Sequence, residues 1–219
     1  MRRNEPAQRP PVDGIDLTEF PFEAARGTTM YRAARRDRSA WWFASAPSDD
    51  PEAGGRFDLP EPDGTCYWAD TVEVAVRERL AHHTLHTNTV FIERAREMVV
   101  AAARTPRGAR FADVSAPTAV RFGVSSELAT TPEYRVSQAW ARAFHASTFR
   151  GVRYGARFSS DAGPNAWAIF GVAGAPARRR LERVHRSGVE ACHEAGIRVI
   201  QGAGAARRDA FTVVPPPAD

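Results

Sequence analysis

Apolar positions recur with helical spacing in two clear stretches of the chain. Over residues 71–83, Val72, Ala75, Val76 and Leu80 fall on one face, behind Asp70 or Thr71 as N-cap. Over 133–147, Val136, Ala139, Trp140, Ala143 and Phe144 form the cleanest amphipathic stripe. The pattern also predicts helix over 91–104, ending before Pro106, and a short helix within 116–128. A further helix is predicted over 177–195, weakened at Gly188 and ended by Gly196. Short apolar runs bounded by Gly, Pro and Asp predict strands at 28–34, 65–69, 110–114, 152–158, 166–172, 197–201 and 210–214. Between them, 46–55 and 58–64 are polar loops and 159–164 is a turn.

Strands and helices in this irregular alternation, without a βαβ rhythm, predict an α+β fold: a compact mixed-sheet domain rather than a doubly wound one. Residues 1–27, rich in Pro and Gly, read as a flexible and mostly extended lead-in, with Phe20 and Phe22 docking on the body. Residues 28–214 read as one domain and 215–219 as a tail. No GxGxxG follows a predicted strand, which argues against a Rossmann mode of dinucleotide binding.

Composition narrows the chemistry. The 219 residues are 43% hydrophobic with 12 Phe and five Trp, enough for a packed core. The apolar runs are too short to cross a bilayer, so no membrane association is expected. Residues 1–11 lack an apolar h-region, so no secretory signal is expected either. Cys66 and Cys192 stand at unrelated positions without metal-ligand spacing, and a cytoplasmic setting is expected. The formal net charge is +4, and all 30 basic residues are arginine. Without lysine there is no Schiff base, no P-loop lysine and no lysine general base. What remains are guanidinium groups suited to planar grips on phosphate or carboxylate.

Several candidates have simpler readings. His82 and His86 stand four apart beside His83, but no Glu follows as in HExxH, so a polar helix end explains them better than a metal site. His145 reads as a structural or surface residue, and Asp113 as a turn or helix cap more readily than a catalytic carboxylate. The arginine runs at 35–38, 178–180 and 207–208 lie among acidic residues without a nucleic-acid motif, and solvated surface is the simpler reading.

One constellation stands apart: Tyr31-Arg32, Gly54-Gly55-Arg56-Phe57, Tyr67-Trp68-Ala69, then Ala75 and Glu78, and later residues 151–157 with Tyr154 and Arg157. Two arginines, an aromatic ring and a carboxylate are what cleavage of NAD at its nicotinamide–ribose bond requires. Guanidinium groups hold phosphates, a ring stacks on a flat ring, and a carboxylate supports a cation-like ribosyl transition state. Arg, Tyr and Glu are common, so the pattern by itself leaves the function open.

These same residues resemble the RES-domain family, named for an Arg, a Glu and a Ser. The resemblance extends through Phe111-Ala112-Asp113-Val114-Ser115, Ser137-Gln138-Ala139-Trp140-Ala141 and the strand at 151–157, and covers about residues 28–175. It implies a fold similar to that of ADP-ribosyltransferase toxins, with NAD as substrate rather than cofactor, degraded by phosphate or water. It also implies an antitoxin protein as partner. Carried over, Arg32 and Glu78 are catalytic; Tyr31, Arg56, Tyr67, Tyr154 and Arg157 bind substrate. Ala156 stands where the family's Ser is expected, with Ser159 and Ser160 close by as substitutes. An ADP-ribosyltransferase acting on a macromolecule and a non-catalytic NAD-binding module are the alternatives, with nucleic-acid binding last.

Overall fold

The computed structural model describes residues 8–47, 54–84, 86–159, 163–177 and 181–201, the side chains of His82 and His83 excepted. Ser160, the arginine runs at 178–180 and 207–208 and the strand expected at 210–214 lie outside them.

Eight strands form one sheet: β1 (Phe22–Ala24), β2 (Thr29–Arg35), β5 (Asp63–Ala69), β7 (Met98–Arg104), β8 (Arg110–Asp113), β9 (Gly151–Tyr154), β10 (Ala166–Val172) and β11 (Arg183–Ser187). Their order is β1-β8-β9-β10-β5-β2-β7-β11. Two small parallel pairs join β3 (Ser45–Ala46) to β4 (Leu59–Pro60), and β6 (Thr89–Phe91) to β12 (Arg198–Ile200). With α1 (Val72–Thr84), α2 (Ile92–Arg96), α3 (Tyr134–Ala146) and α4 (Gly188–Glu194), the class is α+β, as the pattern predicts.

The large sheet is nearly parted in its middle. β5 pairs with β10 along seven residues and β2 with β7 along seven, yet β2 and β5 meet only at Tyr31 and Ala69. Because side chains alternate across a strand, β5 sends Tyr67 and Ala69 to one face and Cys66 and Trp68 to the other. The first face packs on α1 and α3 through Val72, Val76, Leu80, Trp140 and Phe144. The second buries Trp41, Phe43, Trp68 and Trp167.

The strand expected over 152–158 ends at Tyr154, the short strands β3, β4 and β6 were not expected, and three larger differences bear on the fold. Residues 8–27 are not a loose lead-in: Leu17 and Phe20 are buried, and β1 adds to the sheet edge beside β8. Phe20 packs against Phe122, Phe144 and Phe149, while Phe22 stays exposed under the Arg110 guanidinium. The helix predicted over 91–104 is the short α2 followed by β7. β7 lies between β2 and β11 with both faces covered, so its Ala-rich run shows no alternation to betray a strand. The helix predicted over 177–195 divides at Ser187 into β11 and α4. There Ser187 and Glu190 form a reciprocal capping box that starts a new helix. Gly188 permits the joint, because a Cβ there would lie 1.9 Å from the Ala95 carbonyl oxygen.

Candidate functional site

A cavity of about 320 Å³ opens where β2 and β5 diverge. Its walls include Tyr31 and Arg32 from β2, Arg56 from the loop before β4, Tyr67 from β5, Glu78 from α1, Tyr154 at the end of β9 and Arg157 in the turn after it. Seven of the residues singled out in the sequence thus meet in one place. Ser159 does not line the cavity. Its hydroxyl accepts from Asn165 Nδ2 at 2.9 Å. Ala156 is also absent from the wall: it is buried, with its N–H donating to Asn165 Oδ1 at 2.7 Å.

Local structure explains how each side chain arrives. Thr71, rather than Asp70, caps α1, accepting from the Val74 N–H at 3.2 Å. Asp70 is free for another task. It accepts from Trp167 Nε1 at 2.6 Å and pairs with Arg153, whose guanidinium also meets Glu23 at 3.0 Å and lies 4.1 Å from the Trp167 ring centre. This network, centred on the buried Arg153 and Trp167, ties β1, β9 and β10 to the start of α1. Two turns later, Glu78 reaches the cavity and Oε1 accepts from the Phe158 N–H at 2.9 Å.

Burial raises the pKa of Glu78 above the ordinary carboxylate range, and the Phe158 N–H and the Arg56 and Arg157 charges oppose that rise. Arg56 donates Nη1 to the Thr131 carbonyl and lies 5.0 Å from the Tyr134 ring centre, a cation–π contact. Burial lowers its pKa, though a guanidinium remains charged at neutral pH. Arg32 spends Nη1 on the carbonyls of Ala40 at 2.7 Å and Trp42 at 2.9 Å, and on Cys66 Sγ. Only its Nε and Nη2 therefore remain for a ligand. Arg157 lies over the Phe158 ring, and Tyr31 packs on His185 with 5.0 Å between centroids.

Tyr154 is buried beside Phe57, and burial together with the Glu78 charge pushes its phenol well above the usual range. It therefore stays protonated, a neutral hydrogen-bonding group on the wall. Tyr67 is likewise held protonated, chiefly by burial.

Arg79, Tyr134 and Phe158 also line the cavity and were missed in the sequence. Arg79 directly follows Glu78, a neighbour that motif spacing gives no reason to single out. Tyr134 opens α3, some seventy residues from β5, where only tertiary contact could reveal it. Among the described lining residues there are four guanidinium groups and one carboxylate, an environment that favours an anionic ligand.

Asp113 and His145 stay apart from this cavity. Asp113 closes a local turn, accepting from the Ser115 N–H at 3.0 Å. His145 rests edge-on against Phe170, 3.8 Å from Asp63. No group of three or more His, Cys, Asp or Glu able to hold a metal occurs among the described residues. No helix among them is long and apolar enough to cross a membrane.

Comparison with known proteins follows the same lines. Among solved structures, the chain is similar to one in the crystal structure of the M. tuberculosis MbcT–MbcA toxin–antitoxin complex. The TM-score is 0.55 and the identity 18%, over 80% of this chain and 92% of that one. No curated protein matches the sequence. A RES domain is matched over residues 29–188, most of the chain, and the protein belongs to the RES domain family.

Proposed function

We propose that this protein cleaves NAD at the nicotinamide–ribose bond. The observation that carries the reading is the meeting of Arg32, Arg56, Tyr67, Glu78, Tyr154 and Arg157, from separate parts of the chain, around one cavity rich in positive charge. In the reaction the bond between the ribose anomeric carbon and the pyridinium nitrogen breaks, and its electron pair leaves with neutral nicotinamide. The electron-poor ribosyl carbon is then taken by an oxygen of phosphate or water; with water, a proton is lost. Glu78, the sole carboxylate on the described wall, supports the positive charge as it develops. The arginines hold the pyrophosphate, and the aromatic rings pack on the nicotinamide and ribose. NAD is consumed as substrate.

We further propose that the chain is the toxin of a toxin–antitoxin pair, since a solved structure similar to it comes from such a complex. Purified protein is incubated with NAD, with and without phosphate. Nicotinamide release, with ADP-ribose or its 1″-phosphate as the second product, supports cleavage and separates hydrolysis from phosphorolysis. Label transferred from NAD to a macromolecule would replace this reading with ADP-ribosylation. Tight binding without turnover would reduce the protein to a binding module.

A further inference from the structure

Behind the cavity wall stands a second carboxylate that is not part of the lining. Asp58 is 2% exposed, and both of its oxygens are engaged. Oδ2 accepts from the Gly55 N–H at 2.6 Å, and Oδ1 accepts from the Tyr67 hydroxyl at 2.7 Å. The Tyr67 oxygen in turn accepts from the Phe57 N–H at 2.9 Å. Residues 55–58 are therefore closed into a turn, with the Asp58 N–H donating to the Gly55 carbonyl at 3.1 Å, and the turn is bolted to β5. Gln138 Nε2, from α3, donates to the same carbonyl at 3.1 Å. Arg56 projects from the middle of this turn.

The packing leaves no slack. A Cβ on Gly55 would lie 2.7 Å from the Tyr67 oxygen and 2.9 Å from Asp58 Oδ1. The Tyr67 phenol has its donor committed to Asp58, so what Tyr67 offers the cavity is its ring. A buried carboxylate with no donor costs far more than one fully paired, and the pairing is what makes Asp58 tolerable here.

We propose that Asp58 is a positioning residue, which acts on the substrate only through Arg56 and Tyr67 by holding the two in one fixed relation. This rests on the proposed cleavage of NAD. Asp58 governs how tightly the dinucleotide is held, while Glu78 governs how fast the bond breaks. Loss of activity on replacing Asp58 would otherwise be mistaken for loss of a catalytic acid.

Three variants test it: Asp58→Asn, Tyr67→Phe and the double substitution, each checked for a cooperative melt. Nicotinamide release from NAD is measured across substrate concentration. NAD affinity is measured by calorimetry on the slow Glu78→Gln background, with and without Asp58→Asn. Exchange of the Gly55 and Phe57 amide protons is followed by NMR without ligand. The expected results for Asp58→Asn are faster exchange at both amides, KM and Kd raised on the order of tenfold, as for a lost charge-assisted hydrogen bond, and kcat within about twofold. The double variant is expected to lose little more than the worse single, because both changes open one clamp. A fall in kcat at unchanged KM would overturn the proposal by making Asp58 catalytic. Unchanged exchange at both amides would overturn it whatever the enzyme does with NAD. If wild type binds NAD but releases no nicotinamide, the cleavage reading fails, and affinity and exchange still decide the role of Asp58. If wild type does not bind NAD at all, both fall.

Discussion

Replacing Glu78 with Gln separates charge from shape at the centre of the cavity. Gln keeps an oxygen able to accept from the Phe158 N–H, so the 2.9 Å contact that fixes the end of this side chain survives. What is lost is the negative charge, facing Arg56 and Arg157 from a site where burial already raises its pKa. The neutral hydrogen bond retains about 0.5–1.5 kcal/mol, so the stability of Glu78→Gln is expected to lie within about 1 kcal/mol of wild type. Removing a group aimed at transition-state charge costs roughly 100- to 1,000-fold in kcat, or about 2.7–4 kcal/mol. The variant thus stays folded and becomes nearly inert.

The pH dependence gives a second handle on the same group. The folded pKa is raised above the unfolded value, so ionising Glu78 weakens folding. That cost is absent below the unfolded pKa and fully present above the folded one. In the proposed reaction the carboxylate must be ionised, and kcat/KM should therefore climb with pH along an acid limb lying above the ordinary Glu range. Nicotinamide release from pH 4 to 8, in wild type and variant, is the assay. Turnover above a tenth of wild type, or an unchanged acid limb in the residual activity of Glu78→Gln, would refute the assignment. A persisting limb would direct attention to Asp58, whose carboxyl burial also raises.

Other expectations follow from single contacts. Arg153→Met should lower unfolding free energy by about 2 kcal/mol in urea titrations, because the buried guanidinium loses its hydrogen bonds to the half-buried Asp70 and Glu23 together; Glu23→Gln, which removes one half-exposed arm and leaves Arg153 paired with Asp70, should cost under about 1 kcal/mol. Gly55→Ala should raise KM for NAD on the order of tenfold by forcing Tyr67 and Asp58 apart, read by initial rates. Both thiols should resist an aromatic disulfide reagent at pH 8 until the protein is unfolded, since Cys66 and Cys192 are buried and burial pushes the Cys192 thiol up to about 11.

Local order carried much of this molecule. Helix α3 is legible because it presents an apolar stripe to one side, and a stripe of that kind has a period that can be counted. Helix α1 is legible from its Asp-Thr start and its i,i+4 series of Val72, Val76 and Leu80, although Val74 on the opposite side is buried as well. The α+β class followed from the irregular mixture of short elements, and the constellation from Tyr31 to Arg157 from its residue types and their order. β7 was not legible as a strand. Met98–Arg104 is covered on both faces, so its apolar run lacks alternation and is indistinguishable from a buried helix by period alone. The break at Ser187 could have been found, since Ser-Gly-Val-Glu is a capping-box signature at the start of α4.

What the tertiary structure alone decided concerns contacts between segments with no sequence relation. The parting of β2 from β5 makes the cavity, and it depends on each strand finding its long partner elsewhere, in β7 and β10. Tyr134 meets Arg56 only because α3 packs across that opening. Asp58 reads in sequence as one more acidic loop residue. Its burial beneath Tyr67, and the commitment of both oxygens, exist only once β5 and the loop before it are folded together. Residue type and spacing determine which groups are present and which local elements carry them. Which of those groups share a desolvated space is set by strand pairing and packing over long separations, where burial and charge take their values.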